Sequence, residues 1–126
     1  MNCFIGIPYE EKDCMEIVRF FYEKELGVSL TQYYTTPPET PEKANTLVLS
    51  SKEDFVEVPL KEIRRGDLLL IRLRGIECHI SVCLDSELML HTTTHSGSVI
   101  ERIEKWKKQI AGAYRPKGHL FELPKK

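Results

Sequence analysis

Among the four cysteines and four histidines of this 126-residue sequence, Cys14, His79 and His91 are the candidates for nucleophilic chemistry. An unassisted thiol has a pKa near 8.5, so only about 3% is thiolate at pH 7 and a cysteine nucleophile must be helped to ionise. Two helpers can be read from the residues. Asp13 stands where an N-cap would, so a helix opens at Cys14 and sets the sulfur beside unpaired backbone N–H groups and the positive end of the helix dipole. His79 offers an imidazole to take the proton, and His91, twelve positions on, could orient that imidazole. Taken alone, a cysteine at a helix start is weak grounds for catalysis, because buried cysteine more often serves as a small apolar residue.

The elements that must hold these groups follow from periodicity. Over residues 13–26 the apolar positions Cys14, Ile17, Val18, Phe21 and Tyr22 recur at helical spacing, Arg19, Glu23, Lys24 and Glu25 are left for solvent, and Gly27 is the stop signal. Residues 79–84 and 88–93 are β-rich segments about the polar turn Asp85-Ser86-Glu87, which predicts a hairpin. Its register decides the chemistry. With a three-residue turn Leu84 opposes Leu88, Ser81 opposes His91, and the two histidines share a face as diagonal neighbours; a two-residue turn sends His91 to the other face. In the first register His91 can hydrogen-bond the far nitrogen of His79 and leave the near one for Cys14.

Around this centre, residues 68–73 form a nearly all-apolar run that suits a central strand covered on both faces, entered through Arg65-Gly66-Asp67. Residues 29–45, with Pro37, Pro38 and Pro41, read as a long loop of the kind that often forms a binding wall or lid. Residues 47–49 and 55–58 are too short to assign. Residues 98–103 suit a strand or turn, 104–110 a short helix around Trp106, and 113–115 a final strand. A helix followed by an antiparallel sheet is an α+β pattern, and length and patterning predict one domain over residues 1–126.

Composition removes several classes of function. The 18 basic and 19 acidic side chains nearly cancel and form no basic block, which argues against a nucleic-acid partner. No apolar run approaches a membrane span, and residues 1–9 lack the pattern of an export signal, so the chain is expected to be made in the cytoplasm. Four cysteines in such a chain are expected to be thiols, with packing the expected role of Cys78. Cys14, His79, Cys83 and His91 could in principle hold zinc, but no short Cys-x-x-Cys or His-x-x-x-His pair supports a metal, and no cofactor is expected. His95 and His119 read as loop and tail residues; Tyr33, Tyr34 and Trp106 read as packing.

Asp13-Cys14 opening an apolar helix, Arg65-Gly66-Asp67-Leu68 leading a strand, and His79-Ile-Ser-Val-Cys-Leu84 followed by His91 together resemble the NlpC-type (NlpC and p-sixty) cell-wall cysteine peptidases, in the short branch found among phage tail-assembly proteins. The resemblance spans about residues 6–115. It implies a papain-like core with the N-terminal catalytic helix packed on an antiparallel β-sheet. It also implies a triad mapping onto Cys14, His79 and His91, with Tyr9 lining the site and the Cys14 backbone N–H in the oxyanion hole. The substrate implied is a bacterial peptidoglycan stem peptide, and phage tail proteins are the implied partners, with action at the cell wall from a virion. Where the family usually has a small residue and glycine after the cysteine, this chain has Met15 and Glu16. Two other functions fit the same residues: acyl transfer or deamidation by the Cys and His pair, and a structural tail or wall-binding subunit that keeps the fold without turnover.

Overall fold

The computed structural model describes residues 2–27, 55–73 and 76–116. The expectations for residues 29–45 and 47–49, for the Cys78 side chain and for His119 fall outside the described residues. Helix α1 covers Cys14–Phe21. Its start is a reciprocal cap: the Asp13 carboxylate accepts from the Glu16 N–H at 3.1 Å, and Glu16 Oε1 accepts from the Asp13 N–H at 3.2 Å. Two backbone donors that the first turn would otherwise leave unpaired are thereby satisfied. The chain goes on through a wider turn at Tyr22–Leu26 and stops at Gly27, whose φ of 65° suits a residue without a Cβ.

Six strands follow among the described residues: β1 Phe55–Val58, β2 Leu68–Leu73, β3 Ile76–Cys83, β4 Leu88–Thr93, β5 Gly97–Arg102 and β6 Ile110–Pro116. They form one antiparallel sheet in the order β1-β6-β2-β3-β4-β5. The segment 55–58, unassigned from sequence, pairs with the far end of β6 as an edge strand. The helix expected at 104–110 is formed only in part: a short 3-10 helix covers Ile103–Trp106, and β6 begins at Ile110. The reason is packing, since Ile103 and Ile110 both reach the same apolar cluster, and the intervening Gln109 carbonyl is claimed by the Arg72 N–H at 2.8 Å.

The sheet has an apolar cluster on each face. Met15, Ile17, Val18 and Phe21 of α1 pack with Phe4 on Leu68, Leu70, Ile80, Val82 and Leu90. On the other face Leu69, Ile71, Cys83, Met89, Ile103 and Ile110 pack together, with Trp106 against them. Strand β2 supplies both clusters, which is why its sequence does not alternate; each fully buried Leu or Ile contributes roughly 1.5–3 kcal/mol. Asp67 ties the entry of β2 to β6, accepting from Arg115 Nε and Nη2 at 2.7 and 2.8 Å and from the Arg64 N–H at 3.0 Å.

The segment before α1 is pinned to the start of β5. The Gly6 N–H donates to the Ser98 carbonyl at 2.8 Å, the Ile7 N–H to Ser98 Oγ at 2.8 Å, and the Ser98 N–H to the Ile7 carbonyl at 2.9 Å. This contact needs Gly97, with φ 67°, because a Cβ there would lie 2.7 Å from the Ile7 carbonyl oxygen. Replacing Gly97 by Ala is expected to lower stability by about 2 kcal/mol, through the left-handed backbone and the clash together. Chemical denaturation checks this, and an unchanged midpoint would show that the segment before α1 is not held by this contact.

Candidate active site

The β3–β4 hairpin adopts the register with the three-residue turn, pairing Val82 with Leu90 and Cys83 with Met89. Asp85 shapes that turn by accepting from the Glu87 and Leu88 N–H groups at 2.7 and 2.8 Å. Among the described residues the β3–β4 pairing is limited to these two positions near the turn, although both strands run on. Beyond it, the strands are linked by side chains. His79 Nε2 and His91 Nδ1 are 2.8 Å apart, with the rings edge to face at 73°.

Strand alternation puts His79, Ser81 and His91 on the face of Trp106, while Ile80, Val82 and Leu90 face α1. A bulge helps to aim His79. Ile71 pairs with His79, the next pair is Arg72 with Glu77, and residue 78 is the extra one; bulges of this kind re-aim neighbouring side chains. His79 is 4% exposed and His91 is fully buried. Burial pushes the His79 imidazole down to about 3, with repulsion from His91 adding to the shift. Burial also lowers His91, against the opposing pull of a carboxylate.

That carboxylate is Glu101, which sequence reading does not single out. His91 Nε2 lies 2.6 Å from Glu101 Oε1, and the Trp106 Nε1–H donates to the same oxygen at 3.2 Å. Lys105 pairs with the other oxygen. Burial pushes Glu101 upward, but the hydrogen bonds from Lys105, His91 and Trp106 outweigh it and bring the carboxyl down to about 2. The line His79, His91, Glu101 therefore crosses three neighbouring strands from a dry interior to a wetter, cationic edge.

Cys14 occupies the first position of α1, half-buried, and α1 packs against both histidine strands. Met15 goes into the core rather than over the site, and Glu16 is spent on the Asp13 cap, so the two departures from the family pattern both serve the helix start. Tyr9 sits half-buried in the turn before α1, a turn closed by the Glu11 and Lys12 N–H groups on the Pro8 carbonyl. Cys83 is buried, and burial, with Asp67 and Asp85 adding to it, raises its thiol to about 12, which makes it a packing residue. Among the described residues no three His, Cys, Asp or Glu side chains gather as a metal site, and no helix is long and apolar enough to cross a membrane.

The buried histidine gives a pH dependence with a definite sign. In the unfolded chain His79 takes a proton near pH 6.5, whereas in the fold it stays neutral to about 3, so stability is full above pH 6.5 and is lost as pH falls below it. The loss from His79 alone is about 2 kcal/mol by pH 5. Urea unfolding at pH 7 and pH 5 should show that difference, and His79→Gln should shrink it by a similar amount. An undiminished pH slope in the variant would contradict a buried neutral His79.

Compared with known families, the chain matches the model described as the NlpC/P60 family over residues 4–115. Among solved structures it is similar to a Staphylococcus aureus subsp. aureus Mu50 protein described as similar to lipoprotein, NLP/P60 family, at 20% sequence identity and a TM-score of 0.58. The match covers 90% of this chain and 38% of the other, so this chain spans well under half the length of that neighbour. At that identity the likeness bears on the fold, an α+β arrangement that, among the described residues, packs an α-helix on an antiparallel sheet. No curated protein matches.

Proposed function

The chain belongs to the NlpC/P60 family, and from that premise we propose that it is a cysteine peptidase that cleaves peptide bonds in the stem peptides of bacterial peptidoglycan. Family membership supports a cell-wall peptidase or hydrolase kind of activity. The single observation that carries the finer reading is the buried contact between His79 Nε2 and His91 Nδ1, which occupies one nitrogen of His79 and leaves Nδ1 for a nucleophile.

In this reading Cys14, at the start of the helix that packs on β3 and β4, is the nucleophile and His79 its base. The Cys14 thiol gives its proton to His79 Nδ1, the sulfur adds to the scissile carbonyl, and the electron pair moves onto the oxygen, which the backbone N–H at the helix start stabilises. Collapse breaks the C–N bond as His79 returns the proton to the leaving amine. Water then adds to the thioester, giving its proton to His79, and the C–S bond breaks to restore the enzyme. Tyr9, in the turn that leads into α1, lines the substrate side. The cell wall is the place of action, and association with a phage tail would bring the protein to it.

Incubation with purified peptidoglycan should release new amino termini, and Cys14→Ala and His79→Ala should each reduce that release by at least about 10³-fold. Product analysis by mass spectrometry identifies the bond cut. Release by Cys14→Ala equal to that of the unaltered protein would sink the assignment, and products that are transferred acyl groups or deamidated side chains would replace peptidase with those reactions.

A further inference from the structure

Every hydrogen bond in the line that ends at Glu101 has two possible senses except the last. An ionised carboxylate accepts and cannot donate, so the 2.6 Å contact between Glu101 Oε1 and His91 Nε2 places a proton on that nitrogen. A neutral His91 then has a bare Nδ1, which accepts the hydrogen bond from His79 Nε2–H across 2.8 Å. A neutral His79 so engaged has a bare Nδ1 in turn.

We propose that Glu101 is the positioning residue that sets the direction of this relay, holding both His91 and His79 as their Nε2–H tautomers so that Nδ1 of His79 is the nitrogen that receives the thiol proton. The inference rests on the reading of Cys14 and His79 as nucleophile and base, and it adds a fourth member that touches neither substrate nor sulfur. Glu101 stands directly across from Met89 and diagonal to His91 on the same face, just as His91 is diagonal to His79. The carboxylate is built to stay ionised. Lys105 holds its second oxygen at the solvent edge and Trp106 donates to the first. The Trp106 ring, 5.2 Å from His91 and 6.3 Å from His79, also covers the pair on this side of the sheet. When His79 becomes an imidazolium during the reaction, its Nε2–H still points at His91, whose own Nε2–H still points at a negative charge, so the charged state needs no rearrangement.

A glutamine at 101 keeps the size and one acceptor but can also present an NH₂ group to His91. It thereby permits the reversed tautomer, in which His91 donates from Nδ1 and His79 carries its proton on the catalytic nitrogen. The test is nitrogen-15 NMR of histidine-labelled full-length protein bearing Cys14→Ala, with Glu101 and with Glu101→Gln. Protons on Nε2 of both His79 and His91 in the first, and a mixture or reversal in the second, are expected. A proton on Nδ1 of His79 while Glu101 is present, or identical tautomers in the two proteins, would overturn the proposal. In the Cys14 protein Glu101→Gln should lower kcat about 10- to 100-fold with KM nearly unchanged and move the pH onset of Cys14 alkylation upward. A loss confined to melting temperature, with kcat and the alkylation profile intact, would mean that Glu101 is structural only. The tautomer readout needs no turnover, so an inactive protein with the expected tautomers counts against the assigned reaction and not against the role of Glu101 in setting them.

Discussion

The register of the β3–β4 hairpin is the constraint on which the candidate site depends. Side chains alternate across a strand, so a slip of one residue would carry His91 through the sheet to the helix side and leave His79 buried with no partner. The three-residue turn held by Asp85 prevents this, and the pairing of β4 with β5 repeats the same logic one strand further on. His79, His91 and Glu101 are thus successive diagonal neighbours, and no loop is needed to gather them. A relay placed on three neighbouring strands of one sheet is held by their pairings with β2 and β5 and by the turn at Asp85, which suits members that must stay within hydrogen-bond reach.

Burying two imidazoles in a largely apolar face has a cost, and the structure meets it with direction and shielding. Each histidine loses hydration, and each regains a hydrogen bond to the next member. The negative end of the line lies where Lys105 and solvent can stabilise it, so no isolated charge is placed in the interior. Trp106 is usefully bifunctional here: its ring lies against both histidines while its N–H joins the carboxylate. Read from sequence as packing, it does pack, and the polar edge of the indole has a second use that periodicity does not reveal.

The difference between what can and cannot be read from the residues has physical causes. Cys14 behind an N-cap and a pair of histidines twelve apart are legible because helix starts and hairpin parity are local rules. The run at 68–73 is legible because a strand covered on both faces has no polar alternation to mislead. Glu101 is not legible. A glutamate in the segment Val99-Ile100-Glu101-Arg102, which has no apolar/polar alternation to assign its face, looks the same whether it faces solvent or a buried histidine, and only the pairing of three strands separates the two. The segment 104–110 misleads for the opposite reason: its spacing suits a short helix, but Ile103 and Ile110 are both drawn to one apolar cluster, and β6 is required beside β2. Tertiary demand overrides a weak local preference there.

The residues after Cys14 show how a departure from a family pattern can be absorbed by a second requirement at the same place. A helix that opens on a reactive group must satisfy its first N–H donors without crowding that group. Glu16 meets the requirement by turning back to the Asp13 N–H while Asp13 reaches forward, so its carboxylate is engaged in the cap, and Met15 adds a long apolar side chain to the helix–sheet contact. The short helix needs both, since eight residues contribute little stability of their own and depend on capping and packing. Small residues at these positions would give the sulfur more room but would leave the cap half-made and the core less filled. In this chain, then, the residues that depart from the family pattern are those that keep the helix start, and hence Cys14, in place.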